Sequence, residues 1–229
     1  MNNSSLSIKN IYKTFEQSHI NTTLFTNLSY TFKQGSSYAI MGASGIGKST
    51  LLHMLAGLEQ PSAGTILLNN LCLSKIPLEQ KIPILQQSIG LVFQQPLLIP
   101  ELTVIENIVL KSIIDKGATQ QDIKKAKNLL QEVGLLEKAY CMPHLLSGGQ
   151  QQRIALLRAI FKPPQFLLAD EPTGNLDIST GNDVLQLLLQ YQKKYHIGLI
   201  VSTHDKNIAQ NMDYILEVKN QQIFEALKT

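Results

Sequence analysis

A glycine-rich segment at residues 42–50, GASGIGKST, has residue types and spacing that could bind phosphate groups. It fits G-x-x-x-x-G-K-[ST], and it follows the apolar run YAIM and opens a helical pattern, which is the context that this motif requires. The glycines let the backbone curl so that N–H groups face a β-phosphate, Lys48 can neutralise phosphate charge, and the Ser49 hydroxyl can bind Mg²⁺. This phosphate loop predicts a nucleotide site; the alternative is a glycine-rich turn before an ordinary helix. The predicted contacts are Gly42, Ala43, Ser44, Gly45, Ile46, Gly47, Lys48, Ser49 and Thr50.

Two adjacent carboxylates, Asp170 and Glu171, end the buried apolar run in FLLADEP. Their burial is costly unless a positive charge compensates it. Mg²⁺ beside a nucleotide would do so, with Asp170 on the metal side and Glu171 placed to polarise the attacking water. The alternative is that both acids cap the next segment.

A histidine and a glutamine follow two other apolar runs. His204 follows the apolar run of GLIVSTHD, where it is either structural or a sensor of the γ-phosphate. Gln94 lies with Gln95 at the end of SIGLVFQQ, where its amide oxygen could bind Mg²⁺ or water, or satisfy a turn.

A second anion-binding pattern lies at residues 145–153, LLSGGQQQR. A serine and two glycines at a helix start supply N–H groups at the positive helix end. This pattern contains no lysine, in contrast to the phosphate loop.

The elements that position these residues alternate between strand and helix in the first and last thirds of the chain. Residues 6–40 suggest short strands with a turn at residues 34–35, and the helix after Ser49 has Gly57 as a C-cap candidate. The runs GTILLNN, SIGLVFQQ, PPQFLLADEP and GLIVSTHD are predicted strands, and MDYILEVKNQQIFEAL is a predicted terminal strand pair. This alternation indicates a mainly parallel sheet.

The middle third has a different, helical character. TVIENIVLKSIIDKG and TQQDIKKAKNLLQEVG have helical spacing, and Thr119 with Asp122 can form an N-terminal cap. A further helix is predicted from near Ser147 to about Phe161, and STGNDVLQLLLQYQKKY is predicted as an amphipathic helix of the last third.

Composition excludes several classes of protein. The net charge of +3 is too small to indicate nucleic-acid binding, no dense basic run supports it, and no nucleic-acid partner is expected. Cys72 and Cys141 are predicted to be reduced thiols, because they form no CxxC motif. The first ten residues have no apolar signal region, and no apolar run approaches the roughly 20 residues of a membrane span. Any membrane spans would have to come from other chains.

Taken together, the segments resemble the nucleotide-binding subunits of ATP-binding cassette (ABC) transporters. The phosphate loop alone would suit any P-loop NTPase, but LSGGQ at residues 146–150, here called the signature segment, narrows the family. The resemblance covers nearly the whole chain, with Gln94 as the Q-loop residue, NLD at residues 175–177 as the D-loop and His204 as the H-loop residue. In LLRAI, after the signature segment, Leu157 replaces the small residue that is more usual in the family; this should alter packing of the signature helix and leave the catalytic residues intact.

This resemblance implies an α/β P-loop fold with a mainly parallel sheet core, an N-terminal antiparallel β subdomain and an inserted α-helical subdomain. One domain is expected over residues 1–229: residues 1–94 and 161–229 form the core with the β subdomain, and residues 95–160 form the helical subdomain.

The resemblance also implies ATP and Mg²⁺ as cofactors and a head-to-tail homodimer. Each ATP would lie on the phosphate loop of one copy and under the signature segment of the other, which explains why the second pattern needs no lysine. The implied roles are catalysis for Glu171, His204 and Gln94, metal binding for Ser49, Gln94 and Asp170, and nucleotide contact for Ser147, Gly148, Gly149, Gln150 and Asp177. Stacking on adenine is expected from Phe15, with Tyr12 as the less favoured choice.

Two features separate classes within the family. The interval from Gln94 to Ser147 is too short for the coiled-coil arm of DNA-repair relatives, and the chain holds one cassette where translation-factor relatives hold two. An ATPase of a transporter or of another transmembrane complex is therefore expected, at the cytoplasmic face of the bacterial inner membrane, with integral membrane permease partners that dock just after Gln94.

The segments VFQQPLLIPELTVIENI and LADEPTGNLD are similar to the LolD/MacB/FtsE group of this family. Lipoprotein release or MacB-like export is the favoured function, and an FtsE-like ATPase of cell-wall regulation or an import ATPase is the alternative. A P-loop kinase would leave the signature segment unexplained, and an inactive ATP-binding scaffold is disfavoured by the presence of Lys48, Glu171 and His204.

Overall fold

The computed structural model describes residues 4–17 and 20–226. Leu227, the end of the predicted terminal strand pair, lies outside these residues. The elements in chain order are β1 (Ser5–Gln17), β2 (Ile20–Lys33), β3 (Ser37–Met41), α1 (Lys48–Leu55), β4 (Ala63–Leu68), β5 (Leu71–Cys72), α2 (Leu78–Ser88), β6 (Ile89–Val92), α3 (Val104–Asp115), α4 (Gln120–Glu132), α5 (Gly148–Ile160), β7 (Phe166–Asp170), α6 (Ile178–Tyr195), β8 (Gly198–Ser202), α7 (Lys206–Gln210), β9 (Tyr214–Lys219) and β10 (Gln222–Ala226).

The larger sheet has the strand order β10-β9-β3-β8-β7-β6, and every pairing in it is parallel except that of β10 with β9. The predicted mainly parallel core sheet is thus confirmed. Strands β3, β8 and β7 are neighbours, with Ile40 opposite Ser202 and Asp170 also opposite Ser202. Because parallel strands end at the same edge, the segments that follow them converge there.

The second sheet is antiparallel, with the order β2-β1-β4-β5. The predicted N-terminal antiparallel sheet is confirmed, although its first two strands are longer than expected. They pair along nearly their whole length because irregularities in register let β1 bend without leaving the sheet.

Side chains that alternate along the core strands bury two hydrophobic clusters, one on each face of the parallel sheet. Leu167 and Ala169 pack with helices α3 to α6, whereas Phe166 and Leu168 pack with α1 and the antiparallel sheet. All five residues of β7 are buried, which is typical of a strand covered on both faces.

Three features of the helices bear on the sequence predictions. Helix α5 begins after Ser147 and ends at Ile160, close to the predicted bounds, and Thr119 caps α4 reciprocally with Asp122 as predicted. Helix α2 was not predicted, because Pro83 lies inside it and proline is disfavoured within a helix. No helix within the described ranges is long and apolar enough to span a bilayer.

A glycine in β4 allows a close approach between β4 and β1 of the antiparallel sheet. Gly64 has φ +93°, and a Cβ there would lie 2.7 Å from both the carbonyl carbon of Asn10 and the carbonyl oxygen of Lys9. Gly117 has a similar φ of +88°, but a Cβ there would have no neighbour within 4 Å.

We expect Gly64→Ala to lower the free energy of unfolding by about 3 kcal/mol, since backbone strain and a backbone clash add together. Gly117→Ala is the matched control and should cost only the strain, about 1–2 kcal/mol. Urea denaturation of both variants measures the difference. Equal losses would show that the approach of β1 to Gly64 is not a steric constraint.

Candidate active site

The phosphate loop joins the end of β3 to the start of α1. Gly47 is the N-cap of α1 with φ +109°, and no side chain caps this helix. A Cβ on Gly47 would lie 2.9 Å from Cζ of Phe25, so the position excludes larger residues both by conformation and by contact. The backbone N–H groups of the first helical turn have no acceptor within the helix, which makes this end a site for anions.

Lys48 lies across the phosphate loop. Its ammonium donates to the carbonyl oxygens of Gly42 at 3.0 Å and Ala43 at 3.2 Å, and it lies 3.6 Å from Oε1 of Glu171. The side chain is buried. A poorly solvated ammonium in this place can attract phosphate oxygens strongly, because little water screens its charge.

Asp170 ties three segments together at the edge of the sheet. Its Oδ1 accepts from Oγ of Ser49 at 2.9 Å and from Oγ of Ser202 at 2.5 Å. Ser202 is fully buried at the end of β8 and was not predicted as a site residue. Its position after the apolar run GLIV is the sequence feature that could have identified it.

Glu171 adopts a left-handed backbone conformation, with φ 41°, which costs a non-glycine residue about 1–2 kcal/mol. Its N–H donates to both the carbonyl oxygen (3.1 Å) and Oγ (3.0 Å) of Ser202, and these bonds hold the strained turn. Oε2 of Glu171 lies 3.3 Å from Nδ1 of His204. The carboxylate therefore lies between the Lys48 ammonium and an exposed imidazole.

A second histidine of the site lies near Asp170 and was missed by the sequence analysis. Nε2 of His53, on α1, lies 4.0 Å from Oδ2 of Asp170 and has no hydrogen-bond partner among the described residues. His53 follows Ser49 by four positions, and this helical spacing puts the two side chains on the same side of α1.

Gln94 joins this site from the segment after β6. Its Nε2 donates to Oδ1 of Asn175 at 3.2 Å, so the Q-loop residue contacts the segment that follows Glu171. Gly174 also lies close to Gln94, because a Cβ on Gly174 would be 2.9 Å from Nε2 of Gln94. An open cleft of about 360 Å³ is lined by Leu24, Ser44, Gly45, Gly47, Lys48, Ser49, Thr50, Gln94 and Glu171.

The oxygens around this cleft suit a hard cation. Mg²⁺ prefers oxygen ligands and is commonly held by one or two carboxylates together with substrate phosphates. The Ser49 hydroxyl and the Asp170 carboxylate are in contact, and Gln94 lines the same cleft. Within the described part of the chain, no cluster of three or more His, Cys, Asp or Glu side chains could hold a metal alone. The donor set thus fits a cation shared with a nucleotide.

The signature segment lies outside the cleft, at the start of α5. Ser147 is the N-cap: its Oγ accepts from the Gln150 N–H at 3.3 Å, and Oε1 of Gln150 accepts from the Ser147 N–H at 3.0 Å. Ser147 and Gly148 are exposed, whereas Gly149 is buried. The phosphate loop and the signature segment are therefore two separate helix N-termini of one chain.

Asp177 caps α6, and its carboxylate is already hydrogen-bonded within the chain. Oδ1 accepts from the Thr180 N–H at 3.0 Å and from Oγ of Ser179 at 2.7 Å. Bonds from Thr180 and Ser179 hold the pKa of the Asp177 carboxyl well below its usual range. In this structure the residue has a capping role, and its predicted nucleotide contact stays a prediction.

Phe15 and Tyr12 are both exposed on β1, and neither lines the cleft. The Lys13 ammonium lies 4.4 Å from the Phe15 ring centroid and is held by Oε1 of Glu59 at 2.6 Å. Phe15 pairs with Thr22 on β2, two positions before the cleft residue Leu24. The structure thus places Phe15 near the cleft without bringing it into the lining.

Two residues of α5 have structural positions within the chain. Arg153 forms an ion pair with Asp183 of α6, with 2.9 Å between Nη2 and Oδ2. Leu157 is fully buried in the cluster that α5 shares with the core. Both contacts fix α5 against the rest of the fold.

Comparison with known proteins agrees with this geometry. The sequence model of the ABC transporter family matches residues 25–174. The chain is 38% identical over 216 residues to the lipoprotein-releasing system ATP-binding protein LolD of Legionella pneumophila (strain Lens), a match that covers 94% of this chain and 95% of that protein.

Similar solved structures are also ABC transporter cassettes. A dimeric structure of MJ0796, a bacterial ABC transporter cassette, is similar with a TM-score of 0.89 and 34% identity, covering 98% of this chain and 99% of that one. A dimeric post-hydrolysis state of MJ0796 bound to ADP and Pi has a TM-score of 0.88 at the same identity and coverage. The chain therefore belongs to the ABC transporter family, as an ATP-binding cassette that hydrolyses ATP to ADP and phosphate.

Proposed function

We propose that this chain drives lipoprotein release from a bacterial inner membrane, and that two copies close head to tail around two ATP molecules. The observation that carries the dimer proposal is the separation of the two anion-binding helix ends: the phosphate loop lines the cleft, and the signature segment lies outside it. A second copy would bring its signature segment to this cleft. The dimeric state of MJ0796 supports this arrangement.

The residues of the cleft have complementary roles in the proposed hydrolysis. Lys48 and the N–H groups of the phosphate loop bind the β- and γ-phosphates, and Ser49 with Asp170 and Gln94 would hold Mg²⁺. When bound, Mg²⁺ supplies positive charge that offsets the charge developing on the phosphate oxygens.

Glu171 is the proposed general base, because its carboxylate lies at the cleft and its strained turn is fixed by Ser202. It accepts a proton from the attacking water as the water oxygen bonds to the γ-phosphorus and ADP leaves, and the Lys48 ammonium lies 3.6 Å from its carboxylate. His204, 3.3 Å from Glu171, orients the carboxylate and contacts the γ-phosphate. From the partner copy, Ser147 and the N–H groups of Gly148 and Gly149 hold the same phosphate.

The cargo proposal rests on the relatives. Near full-length identity to LolD of Legionella pneumophila at 38% favours lipoprotein release. The chain would work at the cytoplasmic face of the inner membrane, bound to permease subunits that supply the membrane spans. The segment just after Gln94 is the proposed docking site, since it leads from the cleft to α3, and its Pro96 and Leu97 carbonyl oxygens accept from Arg158 of α5.

We expect Glu171→Gln to bind ATP, hydrolyse it at least about a hundredfold more slowly and accumulate as a dimer, because the base is lost and phosphate binding is kept. Light scattering with and without ATP measures the dimer. Glu171→Gln combined with Ser147→Arg is the matched variant: it should bind ATP as a monomer, since the long cation obstructs only the trans contact. If the double variant loses ATP binding, the signature segment serves its own chain's site.

Phe15→Ala should weaken ATP binding by about 1–3 kcal/mol if its ring stacks on adenine. One face of the ring is covered by Lys13, so the base would occupy the other. Tyr12→Ala is the control, because Tyr12 lies on the same strand and is similarly exposed. Titration with ATP and with inorganic triphosphate separates the base from the phosphates. A loss only in Tyr12→Ala would assign stacking to Tyr12.

For the cargo, we expect the tagged chain to co-purify from native membranes with integral membrane subunits and acylated proteins. Cells that carry Lys48→Ala should retain the complex but accumulate lipoproteins in the inner membrane, because nucleotide binding fails. Lys219→Ala, an exposed lysine on β9, is the matched control. An intact lipoprotein distribution in the Lys48→Ala cells, with altered cell-wall hydrolysis, would favour the cell-division alternative.

A further inference from the structure

The start of α5 is pressed against the start of α6 within the same chain. An ideal Cβ on the buried Gly149 would overlap the methyl carbon Cγ2 of Thr180 and lie 3.5 Å from its Cβ. At the preceding glycine, Gly148, a Cβ would meet only Cδ2 of Leu176, at an ordinary 3.7 Å. The two adjacent glycines thus have different surroundings, and only Gly149 is required by contact within the chain.

Thr180 is held firmly in place. Its N–H donates to the capping carboxylate of Asp177 at 3.0 Å. A threonine side chain in a helix takes mainly two χ1 rotamers, so its methyl group has few alternative positions. Helix α6 is itself fixed by buried residues of the core, among them Val184 and Leu188.

The segment before α6 also contacts the cleft. Asn175 accepts from Gln94 at 3.2 Å, and a Cβ on Gly174 would lie 3.5 Å from Oε2 of Glu171. The residues that surround one phosphate loop are therefore in contact, through residues 173–180, with the signature segment of the same chain. That segment would serve the partner's ATP.

We propose that Thr180 is a positioning residue for ATP-driven closure: its methyl group, seated on Gly149, sets the place of the signature segment relative to the residues around the chain's own cleft. This inference rests on the proposed head-to-tail function. It assigns a role in dimer closure to Thr180, which lies outside the phosphate loop, the signature segment and residues 175–177. It also gives Gly149 a role in packing as well as in phosphate contact.

The experiment is a double-mutant cycle in the full chain that carries Glu171→Gln. Gly149→Ala is combined with Thr180→Ser, which removes the methyl and keeps the hydroxyl, or with Thr180→Val, which keeps the methyl. The ATP concentration at half-maximal dimerisation is measured by light scattering. The Hill coefficient of hydrolysis is measured in the matching chains with Glu171.

We expect Gly149→Ala to raise the ATP concentration needed for dimerisation by about tenfold or more in the Thr180 chain, and by less than about threefold in the Thr180→Ser chain. In the Thr180→Val chain, Gly149→Ala should raise the ATP concentration for dimerisation as much as it does in the Thr180 chain. The ATP affinity of the monomer is measured in the same variants with Ser147→Arg added. It should show neither the loss caused by Gly149→Ala nor the relief given by Thr180→Ser. Urea denaturation of the same variants gives a double-mutant cycle for the free energy of unfolding. If the contact were only structural, that free energy would change and the ATP dependence of dimerisation would not.

Two failures are distinguishable. If the Glu171→Gln parent dimerises with ATP but Thr180→Ser gives no relief, the positioning proposal is wrong and the proposed function stands. If the parent does not dimerise with ATP, both proposals fall, even where the unfolding data show that residues 149 and 180 are coupled.

Discussion

A buried carboxylate at a strand end must be hydrogen-bonded, and Asp170 meets this requirement in a way that organises the site. Ser49 comes from the first turn after the phosphate loop and Ser202 from the end of β8, and both donate to the same oxygen. Ser202 in turn accepts from the N–H of Glu171. One carboxylate thus fixes the loop, the neighbouring strand and the turn that carries the proposed base.

The two anion-binding helix ends differ in how their N-termini are satisfied. Helix α1 has a glycine N-cap without a side-chain cap, so its first N–H groups face the cleft. Helix α5 is closed on itself by the reciprocal bonds of Ser147 and Gln150. A self-capped end needs no ligand for stability, which is compatible with the proposal that this segment meets phosphate only in a closed dimer.

Contiguous features of the site could be predicted from the sequence, whereas features that depend on tertiary contact could not. The phosphate loop, the carboxylates after β7 and the cap at Ser147 are local patterns, and the structure has them in the expected elements. Ser202 and His53 become site residues only because β8 and α1 lie beside β7. Helix α2 was missed because Pro83 disrupts its pattern and few of its residues are buried.

The contact between Gly149 and Thr180 also depends on tertiary structure, and it changes how a glycine of the signature segment is interpreted. A close backbone approach to phosphate and a close approach to a threonine methyl both exclude a Cβ, so the sequence pattern alone cannot separate them. The structure separates them, since Gly148 is exposed with room beside it and Gly149 is buried against α6. Since α6 follows residues that touch Gln94 and Glu171, displacement of this helix at one cleft would, in the proposed head-to-tail dimer, also move the signature segment at the other cleft.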